Sequence, residues 1–217
     1  MKLTTCVVLT TYNGIQYLEQ LLDSLRLQSR PIDKVLIFDD GSKDKTVSYV
    51  EKYIERYALG SWSVNINTAN KGWKCNFRDG IILADCDVIF PCDQDDIWNL
   101  QKVEIMTSVM EENPDILLLS SDYVPLYENG GKSVDDLSKV KAEQRLIKIE
   151  FDEKFAVHTR PGCVMAIKKT LVNKTKMVWS GEYAHDAFLW VAASLAEGNW
   201  ILHEPLIQYR RHSNNAS

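Results

Sequence analysis

Three carboxylates fall within four positions in Cys92-Asp93-Gln94-Asp95-Asp96-Ile97-Trp98. Like charges packed that closely repel unless something positive sits among them, and a hard divalent cation is the natural partner. Carboxylate oxygens suit magnesium or manganese, ions that commonly share their coordination with substrate phosphates. An isolated acidic turn is more often simply solvated, but Pro91 on one side and Ile97 and Trp98 on the other bracket these acids with apolar residues, as in a positioned turn. A second acidic run, Asp39-Asp40-Gly41-Ser42, offers carboxylates that can accept hydrogen bonds from a nucleobase imide or a ribose hydroxyl; the alternative is a plain Asp-Gly turn capping the next helix. Asp186, just after His185 and at the head of an apolar-faced segment, is either a helix cap or a general base toward a hydroxyl. His212, in Tyr209-Arg210-Arg211-His212, is either a surface histidine or a metal ligand.

The elements that must hold these residues follow from hydrophobic periodicity. Residues 3–10 form a β-branched apolar run that stops at Tyr12-Asn13-Gly14, the pattern of a buried strand ending in a turn. Ile15, Leu18, Leu21, Leu22 and Leu25 then recur at helical spacing. The alternation continues with strands expected at 35–38, 62–66 and 88–90, and with helices marked by Val47, Val50, Tyr53, Ile54 and Tyr57 and by Phe77, Ile81, Ile82 and Leu83. Strand handing over to helix is the signature of a parallel sheet covered on both faces, where ligands sit beyond the carboxyl ends of the strands. Tyr12, Asp39, Asp40, Asn70, Asp93 and Asp95 all fall at such ends. The second half is less regular, with helices expected at 100–110 and 186–196, strands at 116–119 and 162–167, and a charged exposed loop at 128–148.

Composition narrows the class. A chain of 217 residues, 45% of them hydrophobic, can bury one sizeable core. A net charge of -5 is the wrong sign for a partner built on a phosphate backbone, which argues against nucleic acid. The five cysteines form no C-x-x-C pair, and their odd number argues against a complete disulfide framework, so a reducing cytosol is the expected compartment. No signal peptide and no apolar run of membrane-spanning length are expected.

Taken in order, Thr10-Thr11-Tyr12-Asn13-Gly14, Asp39-Asp40-Gly41-Ser42, Asn70-Lys71-Gly72, Asp93-Gln94-Asp95-Asp96-Ile97-Trp98 and His185-Asp186 resemble the family 2 glycosyltransferases over nearly the whole chain. The resemblance implies a GT-A fold, a Rossmann-like α/β architecture with a central mixed, mostly parallel sheet flanked by helices. It implies one domain over 1–217, with a nucleotide-sugar-binding half at 1–98 and an acceptor-binding half at 99–217. Because the family often continues past its final histidine motif and this sequence stops at Ser217, it is either a short member or part of a longer protein with a further C-terminal segment.

Residue by residue, the resemblance puts Thr10, Tyr12, Asp39, Asn70, Asp93 and Asp95 on the donor. Tyr12 and Asp39 lie at the base, with Asp39 accepting the imide hydrogen of uracil or thymine, while Asp93 faces the ribose. Asp95 holds Mn2+ or Mg2+ at the diphosphate, and His212 resembles a C-terminal histidine that helps hold the metal in some members. Asp186 matches the base that takes the proton from the acceptor hydroxyl, so that attack from the opposite face inverts the anomeric carbon. Gly162, Cys163 and His185 line the acceptor side. Many members carry an arginine where this chain has Phe77, with Arg78 beside it. The implied partners are a nucleotide-sugar donor and a saccharide or lipid-linked saccharide acceptor, met in the cytoplasm or, through peripheral association, at the inner face of the membrane. The Asp-Gln-Asp-Asp-Ile-Trp form and the closing Arg-His-x-Asn-Asn most resemble bacterial rhamnosyltransferases of surface polysaccharide synthesis. That makes dTDP-rhamnose the expected donor and a UDP-sugar the runner-up. A catalytically degenerate nucleotide- or glycan-binding relative is the competing reading, and the intact acidic set argues against it.

Overall fold

The computed structural model describes residues 2–127 and 144–211. Its core is one nine-stranded sheet in the order β3-β2-β1-β4-β8-β6-β9-β5, with β7 paired on β9. The strands are β1 (Thr5–Thr11), β2 (Lys34–Asp39), β3 (Trp62–Ile66), β4 (Val88–Cys92), β5 (Ile97–Trp98), β6 (Leu118–Tyr127), β7 (Leu146–Lys148), β8 (Met165–Lys168) and β9 (Asn199–Arg211). Among the described residues six helices join them: α1 (Leu18–Arg26), α2 (Thr46–Arg56), α3 (Trp73–Leu83), α4 (Lys102–Glu112), α5 (Lys169–Thr175) and α6 (His185–Leu195). The long ladders, β1 with β2 and β4, β2 with β3, and β6 with β9, are parallel. The antiparallel ladders around β8, β5 and β7 are short.

Central position explains the sequence of β1. All seven of its residues are buried, because helices cover both faces, so the strand reads as an unbroken apolar and β-branched run rather than an alternation. Val7 and Leu9 join a cluster with Leu18, Leu21, Leu22 and Leu25 of α1 and Met106 of α4 on one face. Val8 joins Phe77 and Ile81 of α3 and Leu189 and Trp190 of α6 on the other. Gly80 of α3 is where that second face comes closest: a Cβ there would meet Val8 and Phe38.

The first half follows the expected alternation, and the second half departs from it in several places. Only the start of the 162–167 segment is non-strand, a 3-10 turn over Gly162–Val164 before β8. Within the 128–148 stretch, expected as a loop, Leu146–Lys148 pairs with β9 as a strand; residues 128–143 lie outside the described residues. The strand expected at 116–119 runs on to Tyr127, through Ser120, Ser121 and Asp122, with register shifts around Asp122. β5, α5 and the 13-residue β9 carry no periodic apolar signal of their own, and the two strands are placed by their pairings with each other, β6 and β7. The cysteines make no complete framework, as expected, but one pair is bonded where a reducing compartment leads one to expect none: Cys6 of β1 and Cys86, just ahead of β4, form a disulfide across neighbouring strands. Cys75, Cys92 and Cys163 remain thiols. No helix among the described residues is long and apolar enough to cross a membrane.

Candidate active site

The chain leaves β1 in one direction to β2 and β3 and returns on the other side of it as β4, which makes the β1/β4 boundary a topological switch point. Register brings the polar ends level there: Thr11 pairs with Asp39, and Leu9 with Cys92. A cavity of about 330 Å3 opens at that edge, lined by Thr10, Thr11, Tyr12, Asp40, Asn70, Gly72, Trp73, Asn76, Phe77, Asp93, Gln94, Asp95, Pro161, Gly162, His185, Asp186 and Tyr209.

The loops around it are tied to one another. Gln94 Oε1 accepts the Tyr12 N–H at 2.8 Å and its Nε2 donates to the Tyr12 carbonyl, so the acidic turn after β4 is locked to the end of β1. Asn13 sits at a positive φ of 48°; its N–H donates to Ser42 Oγ and its Oδ1 accepts the Lys43 N–H, joining the β1 loop to the β2 loop. A Cβ at Gly14 would collide with the end of the Gln94 side chain, so a larger residue there would displace Gln94 from Tyr12.

The two acids of the β2 end are used differently. Asp39 accepts four hydrogen bonds, from Thr11 Oγ1, Ser42 Oγ and the N–H groups of Gly41 and Ser42, and it does not line the cavity. A carboxylate has about four lone-pair sites, so Asp39 is filled by its own turn. Asp40 lines the cavity and accepts three: from Asn67 Nδ2 and the N–H of Lys71 on Oδ1, and from the Gly72 N–H on Oδ2. One site remains for a ligand. Asn70 turns its Oδ1 back to the Gly72 N–H, shaping the glycine, at φ +84°, that leads into α3.

The acidic turn after β4 faces this wall. Burial, followed by the charges of Asp95 and Asp186, pushes the Asp93 carboxyl up to about 7. Burial and the charges of Asp93 and Asp95 raise Asp96 well above the carboxylate range. Asp96 lies fully buried; its Oδ1 accepts the Arg210 N–H at 3.0 Å and its Oδ2 finds no hydrogen-bond partner. The Cys163 thiol lies with them, the ligand atoms of Asp93, Asp96 and Cys163 falling within 4.8 Å of one another. Arg210 Nε holds the Asp95 carbonyl at 2.7 Å. Carboxylates that repel one another at a cavity wall, with oxygen donors already placed by backbone and side-chain ties, are a donor set that fits a hard divalent cation.

Across the cavity, α6 begins at His185-Asp186. Asp186 is the second residue of the helix, not its cap, which is Ala184. Its Oδ1 accepts the Ala187 N–H at 2.7 Å, and His158 Nε2 stands 3.9 Å from its Oδ2. His185 is buried against the Phe77 ring, centroids 4.1 Å apart, and over Gly162, where a Cβ would collide with the imidazole. Neither ring nitrogen has a partner, and burial pulls its pKa down to about 4, so it is a neutral wall. Phe77 thus packs against the imidazole as a tilted aromatic neighbour, the ring planes 31° apart. Of the residues expected from sequence, Thr10, Tyr12, Asn70, Asp93, Asp95, Gly162, His185 and Asp186 line the cavity; Cys163 lies buried behind it, Asp39 is turned inward, and His212 lies outside the described residues. Sequence reasoning missed Gln94, Asn76, Tyr209 and the fully buried Lys102, whose Nζ donates to the Cys163 carbonyl at 2.6 Å.

A mixed, mostly parallel sheet with its polar loops gathered at one switch point is the GT-A fold, and Staphylococcus aureus TarS bound to UDP-GlcNAc shares it, with a TM-score of 0.78 over 98% of this chain and 60% of that one at 19% identity. The mannosyltransferase PcManGT from Pyrobaculum calidifontis, in complex with GDP-Man and Mn2+, superposes with a TM-score of 0.66 over 94% of this chain and 55% of that one at 18% identity. Residues 6–175 match the family model described as Glycosyl transferase family 2, and the chain belongs to that family. The dTDP-rhamnosyl transferase RfbG of Shigella flexneri is 29% identical over 95% of this chain and 72% of its own length. An uncharacterized glycosyltransferase of Rickettsia typhi is 26% identical over 95% of this chain, which spans 63% of that protein.

Proposed function

We propose that this chain transfers a sugar, with inversion at the anomeric carbon, from a pyrimidine nucleotide diphosphate donor to a saccharide acceptor in cell-surface polysaccharide synthesis. The observation that supports this most is that Asp93 and Asp95 share one cavity with Asp186, with Tyr12, Asp40 and Asn70 on the adjoining wall. Asp186 takes the proton of the acceptor hydroxyl, and the neutral His185 beside it keeps that side of the cavity apolar. Asp95, with Asp93 next to it, would hold Mn2+ or Mg2+, which when bound offsets charge on the leaving nucleoside diphosphate. The likeness to RfbG favours dTDP-rhamnose as donor over a UDP-sugar. A lipid-linked acceptor would be met at the inner face of the membrane.

Base recognition moves from Asp39 to its neighbour. The filled lone pairs of Asp39 and the one remaining on Asp40 favour Asp40 as acceptor of the imide N–H. Asp40→Asn is expected to weaken nucleoside diphosphate binding roughly tenfold or more, the scale of one charge-assisted hydrogen bond. Asp39→Asn is expected to lower the melting temperature more than the affinity, since it leaves buried donors unpaired. Calorimetric titration with dTDP beside a melting curve separates the two; the reverse pattern would return the role to Asp39.

The donor class is tested by thermal shift with dTDP-, UDP- and GDP-sugars, with and without Mn2+. Saturating pyrimidine donor with the metal should raise the melting temperature by about 5 °C, as expected for ligand near a hundredfold excess over Kd. A preference for GDP-sugars would overturn the pyrimidine assignment. Binding with neither transfer nor donor hydrolysis would overturn the enzyme.

A further inference from the structure

Lys102 is a fully buried ammonium that the chemistry above does not use. It opens α4, four residues past the end of β5, yet points inward on the same side as Met106, Val109 and Met110. Its Nζ lies 3.6 Å from the centroid of the Trp98 ring and 2.6 Å from the carbonyl oxygen of Cys163. Trp98 belongs to the acidic segment after β4, and Cys163 to the turn before β8. Lys102 is therefore a cationic clasp between the strand end that presents Asp93 and Asp95 and the Gly162-Cys163 loop beside it, whose thiol lies among Asp93 and Asp96.

The clasp has a second link. Gly162, the neighbour of Cys163, lies against the Nε2 end of the His185 ring, where a Cβ would collide with it, and His185 is the residue before Asp186. The order of contact is Trp98, Lys102, Cys163 with Gly162, His185, Asp186. A cation stacked on an aromatic face and bonded to a carbonyl in a dry interior is a strong, directional tie, stronger than the same pair in water. Burial does pull Lys102 down to about 8, with the neighbouring Cys163, Cys92 and the acids Asp96 and Asp93 opposing that fall.

We propose that Lys102 is a positioning residue for transfer: by gripping the Cys163 carbonyl it sets the Gly162-Cys163 loop, and through His185 the base Asp186, against the donor. The proposal rests on the glycosyltransferase reading and predicts a split between two reactions of the same donor. Transfer to the acceptor needs Asp186 placed; donor hydrolysis by water depends far less on it.

The test is Lys102→Met, which fills similar volume without the N–H groups or the charge. Transfer should slow by about thirtyfold, because misplacing a reacting group by an ångström is worth up to about a hundredfold, while donor KM and donor hydrolysis stay within about threefold. Native-state alkylation by N-ethylmaleimide, read by peptide mass spectrometry with the half-buried Cys75 as internal reference, should label Cys163 at least about tenfold faster than in the wild type as its loop opens locally. Should Lys102→Met fail to fold, Trp98→Phe weakens the same cationic grip from the ring side and should give the same split, smaller in size. A folded Lys102→Met with Cys163 as protected as in the wild type overturns the proposal, as does an equal fall of transfer and hydrolysis in either variant. Wild-type donor hydrolysis tests the enzyme reading by itself, and Cys163 protection does not depend on it.

Discussion

Asp186→Asn is expected to lower sugar transfer about a thousandfold, roughly 4 kcal/mol in the barrier, with nucleotide binding nearly unchanged. The amide keeps the shape of the carboxyl but cannot accept a proton from the acceptor hydroxyl. A purely structural Asp186 predicts something different. It sits in the first turn of α6, where a negative charge stabilises the helix end by about 0.3–1 kcal/mol, so its loss would show as a small drop in melting temperature and little else. The Ala187 N–H that Oδ1 accepts can also be satisfied by the carbonyl oxygen of asparagine, which keeps the stability change small. Steady-state transfer with dTDP-rhamnose and an acceptor panel, beside a melting curve, decides between the two. Transfer within tenfold of wild type would remove Asp186 from the chemistry.

How much of this was legible in the sequence depended on whether the signal was local. β1 to β4 were readable because strands buried on both faces have to be unbroken apolar runs, and α1 shows its face as Leu18, Leu21, Leu22 and Leu25. β9 was not, since His203, Glu204, Pro205, Gln208 and Arg210 interrupt it and its place is dictated by β6, β5 and β7. The choice between Asp39 and Asp40 was hidden for another reason: both stand at the same strand end, and only the turn's hydrogen bonds reveal which is filled. Cys6 and Cys86 are separated by 80 residues, and no spacing rule says that they meet. Lys102 left a faint trace, a charge on the stripe that Met106 and Val109 bury, which is an anomaly only once the stripe is known to face inward.

Asp95→Asn should abolish the Mn2+-dependent thermal shift with a nucleotide donor and reduce transfer by at least about a hundredfold, and make the stability of the metal-free protein less dependent on pH. The second half of that expectation comes from the repulsion among the acids. Asp93 is pushed up to about 7 by burial and then by Asp95 and Asp186, so removing one of those charges eases the ionisation of Asp93 in the folded state. A folded-state carboxyl raised above its unfolded pKa of 3.8 weakens the fold as pH climbs through the interval from about 4 to about 7, where the unfolded chain has already lost the proton and the folded one resists losing it. Lowering the folded value narrows that interval, and the melting temperature of Asp95→Asn in EDTA should therefore fall less between pH 5 and pH 8 than that of the wild type. The backbone carbonyl of Asp95 still receives Arg210 Nε, so the turn keeps its tie to β9. A variant that kept the metal-dependent shift would take Asp95 out of the cation site, and one that melted well below wild type in EDTA would show its carboxylate to be a structural partner. Lost function paired with a flatter pH dependence of stability is the mark of acids held close together against their mutual repulsion for the sake of a ligand.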